Sequence, residues 1–319
     1  PNLISARTDV GGAYRWNDST KRWIPITAFV GPDETSLLGI ESLAIDPQNP
    51  NRLYMSAGIS YWNNGRSCIL ISDNYGATFS KVDVTDKFKV DGNGIGRQNG
   101  ERLAVDPHNA DILLCGTRAN GLWRSTNRGQ SWTRMFGFPR ISGTNNGINN
   151  IVFDASSGNN RKQTPIVYAS VSVTGRSNIF VSHDGGRNWS AVQGAIKDCM
   201  PQHLLLHNNY LYVTYATAEG PWNTRQGRMR RLDIKKGRWE DISPAGNYSM
   251  SGISISSDGS MILATSMNQW VMQNKEKTID GEEVYRSTNN GTTWQRLFQD
   301  GLSTINCGTV GWMRSASMH

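Results

Sequence analysis

Apolar residues in this chain fall into short runs that return in a fixed order. One run, Gly39-Ile40-Glu41-Ser42-Leu43-Ala44-Ile45-Asp46-Pro47, closes on an Asp-Pro turn. It returns as Gly100-Glu101-Arg102-Leu103-Ala104-Val105-Asp106-Pro107 and, more loosely, as Asn149 to Asp154. A short Asn-containing turn then leads to a second, alternating run: Arg52 to Ser56, Ile112 to Gly116 and Ile166 to Ser170. Runs of this length bounded by turn formers read as β-strands, and their regular recurrence reads as a repeat.

The punctuation of the repeat is more regular still. Ser72-Asp73-Asn74-Tyr75-Gly76-Ala77-Thr78-Phe79 matches the segments Ser125 to Trp132, Ser182 to Trp189 and Ser287 to Trp294. The shared pattern, Ser-x-Asp/Asn-x-Gly-x-Thr-Trp, is the Asp box. Weaker copies stand at Trp16 to Trp23 and Leu232 to Trp239, so successive copies start 50 to 57 residues apart. An Asp or Asn in a tight turn accepts backbone N–H bonds, and the Gly supplies positive φ. The box therefore has a structural role, and each unit reads as strand A, short turn, strand B, variable loop, strand C, box, strand D. This predicts an all-β β-propeller of four-stranded Asp-box (BNR-like) blades with six repeats visible. Residues 1–319 are expected to form a single propeller domain, cut at both ends. Strand A of the first blade is missing, and Gly311 to His319 reads as the start of another strand A or as the strand that closes blade one.

Composition narrows the function classes. The chain has 319 residues, 33 Gly and 11 Trp, and no apolar run approaches a membrane span. Its net charge of +7 is scattered, with the densest cluster from Arg228 to Lys236, so neither a nucleic-acid nor a membrane partner is expected. Cys68, Cys115, Cys199 and Cys307 lack metal-ligand spacing and read as buried small hydrophobes. No cofactor or metal is expected.

The A–B and C–D turns are short and alike, whereas the B–C and D–A connections differ in every blade. Variable loops on a rigid scaffold carry function. The B–C loops supply Asp9, Tyr61, Trp62, Arg118, Arg176, Trp222 and Trp270; the D–A connections supply Arg97, Gln98, His203 and Trp312. Tyr14, just beyond the first of these loops, joins the candidate binding residues. Aromatic rings among scattered polar groups suit a neutral polysaccharide, with blade packing as the structural alternative for any single Trp. Asp9, in Arg7-Thr8-Asp9-Val10-Gly11-Gly12, is the most informative acid, with turn capping as its structural alternative. Glu41 and Glu101 are expected to pair with arginine or backbone.

The stretch ARTDVGGAYRWN (Ala6 to Asn17) resembles the N-terminal signature of glycoside hydrolase family 74, the xyloglucanases and reducing-end-specific cellobiohydrolases. The likeness continues through Gly39 to Tyr54, Gly96 to Pro107, Gly116 to Trp132, Met200 to Trp222 and the box ending at Trp294. It implies a seven-bladed N-terminal propeller. It further implies inverting hydrolysis of the β-1,4-glucan backbone of xyloglucan by two aspartates facing each other across a cleft between two propellers. Asp9 matches the first aspartate, in the role of base, and the other belongs to a second propeller that this sequence does not contain. Xyloglucan as partner implies a secreted or periplasmic setting. The rival reading is a non-catalytic Asp-box propeller that binds glycan or protein with the same loops.

Overall fold

The computed structural model of the chain describes residues 3–62, 65–159, 162–221, 224–246, 248–267 and 283–297. Nearly all of its regular structure is antiparallel β-sheet, in six sheets. The first has three strands, β1 (Ser5–Arg7), β2 (Ala13–Asn17) and β3 (Arg22–Pro25). Five four-stranded sheets follow, each in sequence order. They are β4 (Ile40–Asp46), β5 (Asn49–Gly58), β6 (Ser67–Ser72) and β7 (Ser80–Asp83); then β8 (Leu103–Val105), β9 (Leu113–Gly116), β10 (Leu122–Ser125) and β11 (Thr133–Met135). The next is β12 (Ile148–Phe153), β13 (Val167–Val171), β14 (Ile179–Ser182) and β15 (Ser190–Ala191). The last two are β16 (Met200–His207), β17 (Tyr210–Ala216), β18 (Gly227–Asp233) and β19 (Arg238–Asp241), and β20 (Met250–Ile255), β21 (Ile262–Ser266), β22 (Val284–Ser287) and β23 (Gln295–Arg296). These are the blades of a β-propeller, and the repeat read from the sequence holds strand by strand. Among the described residues the first sheet holds three strands. No seventh sheet stands among the described residues, and Gly311 to His319 lies outside them.

The chain divides into two compact units, Pro1–Val171 with Phe180–Ser190, and Ser172–Ile179 with Ala191–His319. In the first, one core joins the first two sheets (Ala13, Ile26, Leu53, Met55, Leu70). A second core joins the second and third sheets (Tyr54, Ile69, Ile71, Leu103, Leu113, Trp132). In the second unit Tyr212, Met229 and Ile242 of one blade pack on Met250, Ile262 and Tyr285 of the next. A blade with neighbours on both sides buries both faces of its middle strands, so β6 is buried at every position. Sequence alternation is therefore weak there. The D strands form the free edges and are mostly exposed, and β7, β11 and β19 bear charged residues, which discourage edge-to-edge pairing. Cys68, Cys115 and Cys199 are buried and free; Cys307 is outside the described residues.

All four strong Asp boxes fold alike. In the box of the fourth blade the Ser182 hydroxyl donates to Asp184 Oδ1 at 2.8 Å and accepts the Gly186 N–H at 2.8 Å, while Asp184 accepts the Asn188 N–H at 2.9 Å. Ser72/Asn74, Ser125/Asn127 and Ser287/Asn289 repeat the arrangement. Gly186 has φ +87°, and a Cβ there would lie 2.9 Å from Leu114 of the preceding blade. The glycine thus allows both the turn and the close approach of two blades. The box aromatic then closes the seam: Trp189 donates to the Gly186 carbonyl at 3.0 Å and packs edge-on against Phe138.

Burial opposes the charged form of Asp184. Hydrogen bonds from the Asn188 N–H and amide, the Ser182 hydroxyl and the Arg187 N–H outweigh it, lowering the carboxyl from 3.8 to about 2. A depressed folded-state value contributes stability above about pH 3.8 that is lost as pH falls towards 2. Asp184→Ala should destabilise by about 1–2 kcal/mol at neutral pH. Asp184→Asn, which copies the other three boxes, should be nearly neutral there. The Tm gap between parent and Asp184→Ala should then narrow from pH 5 to pH 2, and that between Asp184→Asn and Asp184→Ala should not.

Candidate active site around Asp9

Asp9 sits at the tip of the β1–β2 turn. Thr8 closes that turn, its hydroxyl donating to the Gly12 carbonyl and accepting the Gly11 N–H, both at 2.8 Å. Gly12 has φ +80°, and a Cβ there would overlap Thr27 Oγ1 at 1.9 Å. The second glycine of the signature is thus required by geometry. The turn is tied to the second blade, where the Ile40 N–H donates to the Thr8 carbonyl at 3.1 Å and the Gly12 N–H to the Leu38 carbonyl at 2.8 Å. So anchored, the Asp9 side chain stays partly open, 29% exposed.

The carboxylate faces Arg97, whose Nε is 3.1 Å from Asp9 Oδ2. Arg97 lies in the connection from β7 to β8, and Arg7 fixes that segment. The Arg7 guanidinium is 7% exposed and pairs with Glu101 at 2.8 Å. It also donates to the carbonyls of Ile40 at 3.3 Å, Arg97 at 3.1 Å and Asn99 at 3.0 Å. Glu101 accepts in turn from the Ser42 hydroxyl and, at 2.6 Å, from the Leu43 N–H. One buried cation thus joins the Asp9 strand, the β4 backbone and the Arg97 loop.

A second buried group braces the same connection. Glu41, 2% exposed, lies 2.5 Å from Arg118 Nε and 3.4 Å from Arg102, and accepts the Asp91 N–H at 3.1 Å. Arg118 donates to the Ile95 carbonyl at 2.6 Å. Arg102 is wholly enclosed, and loss of solvent lowers its guanidinium to about 10 although Glu41 pulls the other way. Glu41 and Glu101 both pair with arginine and backbone, as expected, and neither is open to a ligand.

The remaining candidates sort by exposure. Tyr61 is 60% exposed, receives a hydrogen bond from the Asn93 amide and stands edge-on to Trp62 with ring centroids 6.1 Å apart. Tyr14 lies in β2, its hydroxyl 3.6 Å from where a Cβ on Gly11 would stand. Gln98 is buried, its amide donating to Asn99 at 2.9 Å, and Arg118 is occupied by Glu41 and backbone; both shape the loop from within. His203 is a correction. It lies within strand β16 of the second unit rather than in a D–A connection, 7% exposed, and its N–H donates to Thr214 at 3.1 Å. Trp222, Trp270 and Trp312 fall outside the described residues.

Arg7 and Arg102 escaped the sequence reading, but a signal was there. β4, β12, β16 and β20 each carry a register shift near their start, at Glu41, Asn149, Gln202 and Ser251–Gly252. Glu101 holds the same repeat position before β8. A polar residue recurring inside an apolar run marks a built feature, and bulges often lie beside active sites. No group of residues fit to hold a metal ion occurs among the described residues. Arg7→Met should leave Glu101 buried without its arginine and take one donor from each of three carbonyls, a loss of about 3–5 kcal/mol in urea unfolding. A loss under about 1 kcal/mol would show that solvent replaces the guanidinium.

Comparison with known proteins places the chain. Residues 180–191 match the BNR/Asp-box repeat family. The chain is 37% identical to Xyloglucanase Xgh74A of Acetivibrio thermocellus, aligned over 94% of this chain and 37% of that protein. It is 37% identical to a Paenibacillus xyloglucanase over 98% of this chain and 32% of that one. Among solved structures, the GH74 enzyme of Niastella koreensis superposes with TM-score 0.86 at 42% identity, over 92% of this chain and 43% of that one. The GH74 xyloglucanase of Xanthomonas campestris gives 0.83 at 34% identity, over 93% and 44%. The chain thus spans well under half the length of the relatives it matches. Matched in sequence and fold along nearly its whole length, it is a propeller region of glycoside hydrolase family 74.

Proposed function

We propose that this chain supplies one face of the active-site cleft of an inverting glycoside hydrolase that cleaves the β-1,4-glucan backbone of xyloglucan. Asp9 is one of its two catalytic carboxylates. The observation that carries the reading is the placement of Asp9: a partly exposed carboxylate on a pinned turn, with one oxygen against Arg97. An inverting enzyme needs one carboxylic acid to protonate the departing glycosidic oxygen. It also needs one carboxylate to take a proton from the attacking water, with about 6.5–9.5 Å between them. With Arg97 on Oδ2, Asp9 keeps Oδ1 for that water, which suits the base. Fixing the carboxylate through the Arg7 clamp keeps the water's line of attack constant, where small misplacements cost rate.

The acid has to come from elsewhere. Glu41 and Glu101 are buried and committed to arginines, so neither is placed to protonate a leaving group. That supports a second propeller, carried by the longer protein, as the source of the acid and of the opposite wall of the cleft. The exposed Tyr61 and the adjoining Trp62 offer rings on which sugar faces stack. A polysaccharide substrate of this size implies work outside the cell membrane, in the medium or the periplasm.

In the complete two-propeller protein, Asp9→Asn should lower xyloglucan hydrolysis by about 10²–10⁴-fold while leaving substrate binding nearly intact. Near-normal cleavage would remove Asp9 from the reaction. Unimpaired glycan binding by a parent protein with no hydrolytic activity would instead favour the non-catalytic propeller.

A further inference from the structure

Phe136 is 84% exposed, more than any other large apolar side chain among the described residues. It follows β11 at the outer edge of the third blade. A mobile tip would explain such exposure, but the neighbouring positions are pinned. A Cβ on Gly137 would come within 1.8 Å of the Arg187 carbonyl, so the backbone lies flush on the box turn of the fourth blade. Phe138, 7% exposed, is held between Phe180 and Trp189 with centroids 5.2 and 5.1 Å away. The chain therefore presents the Phe136 ring from a fixed backbone.

What surrounds the ring is a site of small-ligand size. A cavity of about 550 Å³ opens beside it, lined by Leu122, Arg134, Phe138, Arg140 and Ile141 as well as Phe136 itself. That volume lies within the range of small-ligand clefts. Arg134 places its guanidinium carbon 5.5 Å from the centre of the Phe136 ring, which braces the ring and leaves N–H donors at its rim. The walls come from a B–C turn and a D–A connection, the same two kinds of segment that carry Asp9 and Arg97.

We propose that this cavity is an accessory glycan-binding site, in which Phe136 stacks on the apolar face of a β-linked pyranose while Arg134 and Arg140 donate to its hydroxyls. The choice of ligand rests on the β-glucan reading given above. A protein partner is a poorer fit, because a stable interface takes about 800 Å² from each side, and among the residues lining this cavity Phe136 is the one exposed large apolar side chain, flanked by Arg134 and Arg140. An accessory site keeps a long chain tethered after it leaves the catalytic residues and raises its local concentration there.

Native gel electrophoresis of the 319-residue chain through gels cast with xyloglucan or hydroxyethylcellulose tests this directly. Phe136→Ala should weaken retardation by about three- to tenfold, with Tm unchanged because the ring is already in solvent. Phe136→Trp should retain it. Phe136→Ala retarded like the parent, or Phe136→Trp as weak as Phe136→Ala, overturns the accessory site. If Tyr61→Ala/Trp62→Ala still weakens retardation in that case, the β-glucan reading stands on its own. A parent chain that neither polysaccharide retards overturns the accessory site, while the hydrolase reading is decided by Asp9→Asn in the complete protein.

Discussion

A four-stranded sheet of this chain is apolar on both faces and can bury neither by itself. Every blade depends on a neighbour for its core, and the cores consist of residues contributed by adjacent sheets. The Asp box makes that docking repeatable. Its Ser and Asp or Asn satisfy the turn's N–H groups locally, its Gly lets the turn approach the preceding blade, and its aromatic residue fills the seam. Because the box closes its own hydrogen bonds, little of it is left to bind anything else. The opposite connections are freed from structural duty, and they diverge.

The site uses that freedom under a strict electrostatic condition. Burying charge is costly unless it is paired and hydrogen-bonded. The first unit buries Arg7, Glu101, Glu41 and Arg102 close to one another, each with partners. Such a cluster is not needed to hold two apolar sheets together. It fixes the connection that bears Arg97, and through it the carboxylate on the neighbouring turn. Arg97 belongs to both systems, since its carbonyl is held by Arg7 and its guanidinium meets Asp9.

How far the sequence disclosed this follows from where each signal was stored. Turns were legible because box chemistry is local: Ser182, Asp184 and Gly186 interact within a few residues, so spacing alone reveals them. The turn that carries Asp9 was legible through its glycines. His203 was misplaced because β16 begins earlier than its neighbours' pattern suggested, and a histidine between Gln202 and Leu204 gives no sign of its burial. Arg7 was missed because its partners lie up to 94 residues away and are mostly carbonyls, which carry no residue identity. Gln98 and Arg118 look like ligands in a variable loop, and only packing reveals that they face inward.

The Arg7 clamp grips backbone. Its bonds to the loop end on the carbonyls of Arg97 and Asn99, and a carbonyl is present whatever side chain the residue bears. Side chains elsewhere in that loop can therefore be exchanged without slackening the hold on Asp9. Loop side chains can drift while the Asp9 carboxylate stays in register, so this architecture separates variation at the surface from the geometry held beneath it.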